Sequence, residues 1–166
     1  DPAAPTFENT IAALERSGRT LARVHSIYGI YSSNLATPAF QAVEQKMEPK
    51  LAAFQDRIVQ NEPLFRRIAA VHEARERSGL TPEQQRLAWL YYTNFVRAGA
   101  KLAPDAKQRL SAINQQLASL YTNFSQNVLA DENLGLLVLE SEADLAGLPQ
   151  SARDGAAQAA EARGRK

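Results

Sequence analysis

The sequence predicts an all-α protein, an up-and-down antiparallel array of about six to seven helices around a long helix near 104–131, with one short strand near 135–140. Three observations predict it. Apolar residues recur at spacings of three and four along most of the chain. Thr-Pro and Asn-Glu-Pro start signals and Ser-Gly stop signals divide that pattern into segments. The links between segments are short, which favours antiparallel neighbours.

The longest segment, 104–133, carries Leu110, Ile113, Leu117, Leu120, Phe124 and Val128 in one stripe. At 1.5 Å per residue such a helix reaches about 40 Å, long enough to serve as an axis for shorter helices. In the first helix Thr6 is placed to cap, with Asn9 where a capping box prefers Glu or Gln. Phe7, Ile11 and Leu14 form its apolar face, and Ser17-Gly18 ends it. The second places Leu21, Val24, Tyr28, Tyr31 and Leu35 in a heptad-like stripe, with Gly29 suited to close approach of a neighbouring backbone.

Thr37-Pro38 starts a third helix along Phe40, Val43, Met47, Leu51, Phe54 and Ile58. The stripe stays in register across Pro49, so one kinked helix is expected rather than two. A fourth, after Asn61-Glu62-Pro63, turns Leu64, Ile68 and Val71 inward and stops at Ser78-Gly79. Thr81-Pro82-Glu83 opens a fifth with Leu87, Leu90 or Tyr91, Asn94, Phe95 and Ala98 on its face. Gly99 and Pro104 bracket the turn into the long helix.

The rhythm changes at 134–140, a compact apolar run read as a strand whose partner lies elsewhere. An alanine-rich helix follows Pro149 to about Arg163. The expected division is a helical array at 1–133 and a strand with a loosely attached helix at 134–166. An edge left open at 134–140 is also where copies of the chain would associate.

Hydrophobic content of 45% and charged content of 22% suit one folded domain with a sizeable core. A net charge of +1, with the basic residues scattered, gives no reason to expect nucleic acid or an anionic membrane as partner. No apolar run approaches the roughly 18 to 20 residues that span a bilayer. With no cysteine there are neither disulfides nor thiolate metal sites. The start at Asp1-Pro2, without an initiator methionine or leader pattern, reads as a piece of a longer protein, its compartment open between cytoplasm and periplasm.

No catalytic or metal-binding set is assigned, and no substrate-binding residue is identified. The nearest motif is His72-Glu73-Ala74-Arg75-Glu76, in which Glu76 stands where a zinc peptidase helix needs a second histidine. The expected reading is a solvated helix face with charge pairs such as Glu73 with Arg77. His25 is expected to be a packing or surface residue. Tyr28, Tyr31, Trp89, Tyr91, Tyr92 and Tyr121 read as core aromatics with polar rims rather than a groove. Asn94, Asn114, Asn123 and Asn127, if buried, need hydrogen-bond partners and would fix helix register. No glycine-rich phosphate loop or nucleophile–base pairing is present.

Four stretches in register carry a resemblance: 5–18 (PTFENTIAALERSG), 94–102 (NFVRAGAKL), 109–120 (RLSAINQQLASL) with 124–128 (FSQNV), and 145–149 (LAGLP). In this order and spacing they resemble the N-terminal helical region of the thimet-oligopeptidase family of zinc metallopeptidases. The resemblance is greatest to its bacterial peptidyl-dipeptidase (dipeptidyl carboxypeptidase) branch, then to oligopeptidase A. The resemblance implies a largely helical protein of two lobes around a channel that admits short peptides. It implies a zinc cofactor in a full-length parent, at an HExxH motif beyond these residues, and none in this segment. The implied role here is non-catalytic, part of the lobe and channel wall. The alternative is a stand-alone helical scaffold that binds a partner protein's helix.

Overall fold

The computed structural model describes residues 2–165 and, within them, every side chain but that of Asn133. The chain is all-α, and it divides into two compact units, one through Asn127 and one from Val128.

The first helix, α1, opens as a π-helical stretch, Phe7–Ala12, and continues as α-helix over Ala13–Arg16. It is followed by α2 (Arg19–Asn34), α3 (Pro38–Val59), α4 (Glu62–Ala74), α5 (Pro82–Arg97) and α6 (Pro104–Leu134), with α7 (Gln150–Ala162) in the second unit. Side chains cap the starts. Thr6, Thr37, Asn61 and Thr81 each accept from a backbone N–H three residues on. At α1 and α5 the box closes reciprocally. Asn9 Oδ1 accepts from Thr6 N at 2.8 Å and Gln84 Oε1 from Thr81 N at 3.0 Å, so the shorter asparagine suffices at α1. α3 runs unbroken through Pro49, as the in-register stripe requires.

The apolar core lies between α1, α4 and α5, with the end of α3 closing it. Ile11 and Ile68 are fully buried, and Val71, Phe95, Ala100, Val59 and Phe65 are nearly so. Ala88, also fully buried, has the small side chain that lets α5 approach its neighbours closely. Of the two candidates on α5, Tyr91 packs against this core, and Leu90 stays exposed. Gly99 turns the chain with φ +93°, where an added Cβ would meet Leu110 Cδ2 at 2.7 Å.

α2 and α6 flank α3 through polar contacts. Tyr28 donates to Glu48 at 2.8 Å, and Ser32 Oγ donates to Glu44, so α2 runs antiparallel to α3. Lys107 donates to the Gln60 carbonyl (3.3 Å), Asn114 to Asp56 (2.8 Å) and Gln126 to the Gln41 carbonyl (3.1 Å). That descending order makes α6 antiparallel to α3.

Four expectations are corrected. The long helix is not the axis of the apolar core. It turns Ser111, Asn114, Ala118, Thr122 and Gln126 inward and leaves Ile113, Leu117, Leu120 and Phe124 exposed. In α2 likewise, Leu21, Val24, Tyr31 and Leu35 are exposed and only Tyr28 of that stripe is half-buried. No neighbour comes within 4 Å of the Cβ position at Gly29. Residues 135–140 are irregular rather than a strand, because no second strand exists among the described residues to complete a ladder.

The second unit holds that run and α7. Asp144 accepts from the backbone N–H of Glu140 (3.2 Å) and Ser141 (3.0 Å), closing the turn after it. Arg153 donates to the carbonyls of Leu145 (2.8 Å) and Leu148 (3.2 Å), fastening the first turns of α7 to that segment.

Candidate functional site

His72 lies near the C-terminal end of α4, half-buried, its ring stacked on Tyr92 of α5 with centroids 4.1 Å apart and planes 6° from parallel. Tyr92 also faces Phe65 at 5.7 Å, and its hydroxyl accepts from Lys101 Nζ at 2.7 Å. Burial is the main cause that holds the His72 imidazole below its ordinary pKa of 6.5, with Arg75 adding to it and Glu73 and Glu76 opposing. Arg75 donates to the His72 carbonyl at 2.7 Å and to Glu76 at 2.9 Å. The glutamate that could have shared a cation with His72 is therefore engaged by a guanidinium. Among the described residues no group of three or more His, Asp or Glu is gathered to hold a metal ion. His72 and Glu76 thus do not fit a zinc ion, which needs at least one further protein ligand and carboxylates free to bind it.

Two carboxylates that the sequence did not single out are the most buried ionisable groups of α3. Glu44 is 7% exposed and takes hydrogen bonds from Ser32 and from Gln126 (3.2 Å). Asp56, 5% exposed, accepts from Asn114 through Oδ1, while its Oδ2 and Gln60 Nε2 have no hydrogen-bond partner among the described residues. The signal was present in α6. Ser111, Gln115, Ala118, Thr122 and Gln126 repeat small or polar residues at helical spacing, the mark of a face that packs closely and bonds across.

The other candidates separate. Asn114 is half-buried and bonded to Asp56, whereas Asn94, Asn123 and Asn127 are exposed. His25 is exposed and stacks on Tyr28 at 5.9 Å. Tyr28 and Tyr91 are half-buried, their phenols pushed up first by burial and then by the carboxylates of Glu48 and Glu15 that they bond. Trp89 is half-buried under the Arg86 guanidinium at 4.1 Å, a cation–π contact. Tyr31 and Tyr121 are exposed, so they are not core aromatics. An open cleft of about 370 Å³ lies between the start of α1 and the α4–α5 turn, lined by Phe7, Glu8, Val71, Ser78 and Gln84 among others. Its one carboxylate, Glu8, pairs with Arg16 at 2.6 Å. No nucleophile–base pair converges there.

No protein-family model matches the chain. The dipeptidyl carboxypeptidases of Salmonella typhimurium and Escherichia coli are each 37% identical to it, over 98% and 99% of its length. Oligopeptidase A of Haemophilus influenzae is 30% identical over 97%. In all three the matched region is 24% of the relative, so the chain spans about a quarter of the length of these curated relatives. They are peptidases, and the reading of a stand-alone scaffold for a partner's helix finds no support among them. Matched along nearly its whole length, the chain is homologous to one region of these peptidases of the thimet-oligopeptidase family.

Proposed function

We propose that this chain is a non-catalytic N-terminal region of a longer zinc-dependent peptidase that releases dipeptides from the C termini of short peptides. It builds part of one lobe and of the channel wall that limits substrates by size. The observation that carries this reading is the match at 37% identity over 98% of the chain to dipeptidyl carboxypeptidases about four times its length. When bound in the longer protein, zinc would supply Lewis-acid activation of water and of the scissile carbonyl. On this reading the residues that would hold it lie outside these 166, and the stacking of His72 on Tyr92 and the bond of Arg75 to Glu76 support that. Among the described residues no helix is long and apolar enough to cross a membrane.

The test uses two polypeptides. The 166-residue chain is expected to bind no stoichiometric zinc and to cleave no peptide, while a longer product of the same reading frame, containing HExxH, does both. Zinc-dependent hydrolysis by the 166-residue chain alone would overturn the proposal. On the same reading the isolated chain self-associates at 134–140, where Leu134 and Leu137 are exposed. Sedimentation of the wild type and of Leu137→Lys over a concentration series checks it, with the variant expected to stay monomeric.

A further inference from the structure

Helix α6 has two faces that differ in chemistry, and the first unit uses one of them. The face on α3 is small and polar, and it is held by Asn114 and Gln126. The other carries Leu110, Ile113, Leu117, Leu120 and Phe124 at alternating steps of three and four, the a/d spacing of a coiled-coil seam. Leu110 is half-buried beneath the Gly99 turn, but the next four are 43%, 41%, 54% and 66% exposed. An apolar stripe of this kind on a folded surface marks an interaction site.

The residues around the seam indicate what covers it. From Leu110 to Ala130 the helix has no Asp, Glu, Lys or Arg, although the solvent face of a surface helix is ordinarily charged. Depletion of charge is the mark of an interface core. Reversible helix pairing uses flanking charges to choose its partner and register, and membrane-surface helices carry Lys and Arg beside the apolar face. Neither is present. The surface suits a neutral, amphipathic helix that stays in place. The relatives extend over about four times the aligned length, so on the proposed reading the longer polypeptide has room to supply such a helix.

We propose that the Ile113–Leu117–Leu120–Phe124 seam is the docking surface for an apolar helix supplied by the part of the longer polypeptide outside these 166 residues. This rests on the reading that the chain is one region of a longer peptidase. The seam makes α6 a shared element, bonded to α3 on one side and packed on the remainder of the protein on the other.

The test is thiol accessibility at the seam. The 166-residue chain contains no cysteine, so L117C introduces a single reporter. Maleimide labelling, located by peptide mass, is followed in this chain and in the longer product of the same reading frame. Far-UV circular dichroism confirms that each variant is helical, and F124C serves as a second variant at a more exposed position. The thiol is expected to label rapidly in the 166-residue chain and at least about tenfold more slowly in the longer polypeptide, where reaction awaits local opening. Equal rates in the two would overturn the proposal. If the longer polypeptide still hydrolyses peptides, the peptidase reading survives that failure. Protection without hydrolysis leaves the docking surface standing and removes the peptidase reading. Slow labelling of the 166-residue chain also overturns the proposal, because a second copy covers the seam if protection rises with concentration and the chain's own residues cover it if not.

Discussion

The contacts among α1, α4 and α5 and those of α3 with α2 and α6 hold the same unit together by opposite means. In the first region, isoleucine, phenylalanine, valine and alanine fill the space, with fully buried Ile11 and Ile68 at its centre. In the second, two buried carboxylates on α3 receive Ser32 from one side and Gln126 and Asn114 from the other. Apolar contact is strong and non-directional, so it sets how firmly α1, α4 and α5 adhere and tolerates small slides. Buried carboxylates carry a desolvation cost that their partners offset only in one geometry. The polar seam therefore adds little net stability and fixes which turn of α6 lies beside which turn of α3.

The largest expected effect tests the apolar side. Ile68→Ala leaves a cavity at a site with no solvent access and should cost about 2–5 kcal/mol, read from urea unfolding. A loss under about 1 kcal/mol would mean that this core is looser than its burial indicates.

Next comes the polar side. Asn114→Leu leaves Asp56 Oδ1 without its donor and should cost about 1–3 kcal/mol. Replacing both partners, Asp56→Leu with Asn114→Leu, should recover most of that loss, because an apolar pair has no unmet polar group. If the double variant is worse than the single, the seam contributes to stability in its own right and the contrast between the two regions fails.

The cap of α5 ranks third. Thr81→Ala opens the reciprocal box with Gln84 and should lower stability by about 1 kcal/mol in the same denaturation experiment.

The smallest effect is a pH dependence from His72. Its pKa in the fold is depressed by burial on Tyr92, so the unfolded chain binds the proton more readily. The stability it contributes is present above the ordinary value of 6.5 and is lost as the pH falls through the lower folded value. His72→Gln should flatten that acid-side slope in melts across this range, and an unchanged slope would assign it to other groups.

Much of this was legible locally. The four capped starts follow from Thr6, Thr37, Asn61 and Thr81, and the continuity of α3 from a stripe in register across Pro49. On α4, Leu64, Ile68 and Val71 point inward as spaced. The absence of a complete zinc-peptidase motif around His72 was also plain, since Glu76 replaces the second histidine.

What periodicity could not supply was the direction a stripe faces. In α2 and α6 the apolar residues are regular enough to define a face, yet the α2 stripe meets α3 through Tyr28 and Tyr31 at Phe40 and leaves Leu21, Val24 and Leu35 exposed, while in α6 Asn114 and Gln126 occupy the side that meets α3. Spacing alone registers hydrophobicity and not the partner, so it cannot tell a stripe buried within the unit from one on its surface. The strand expected at 135–140 failed for a related reason. An extended apolar run becomes a strand only when another chain segment completes its hydrogen bonds.

The sequence by itself thus determined the helices, their capped starts and the resemblance to these peptidases, because capping, proline placement and 3.6-residue periodicity act within a few residues of one another. Only the tertiary structure decided that Glu44 and Asp56 are buried, that His72 stacks on Tyr92, and that α6 faces α3 with its polar side. Those outcomes depend on which helices meet, and the free energy of a buried polar group is set by the partner that meets it.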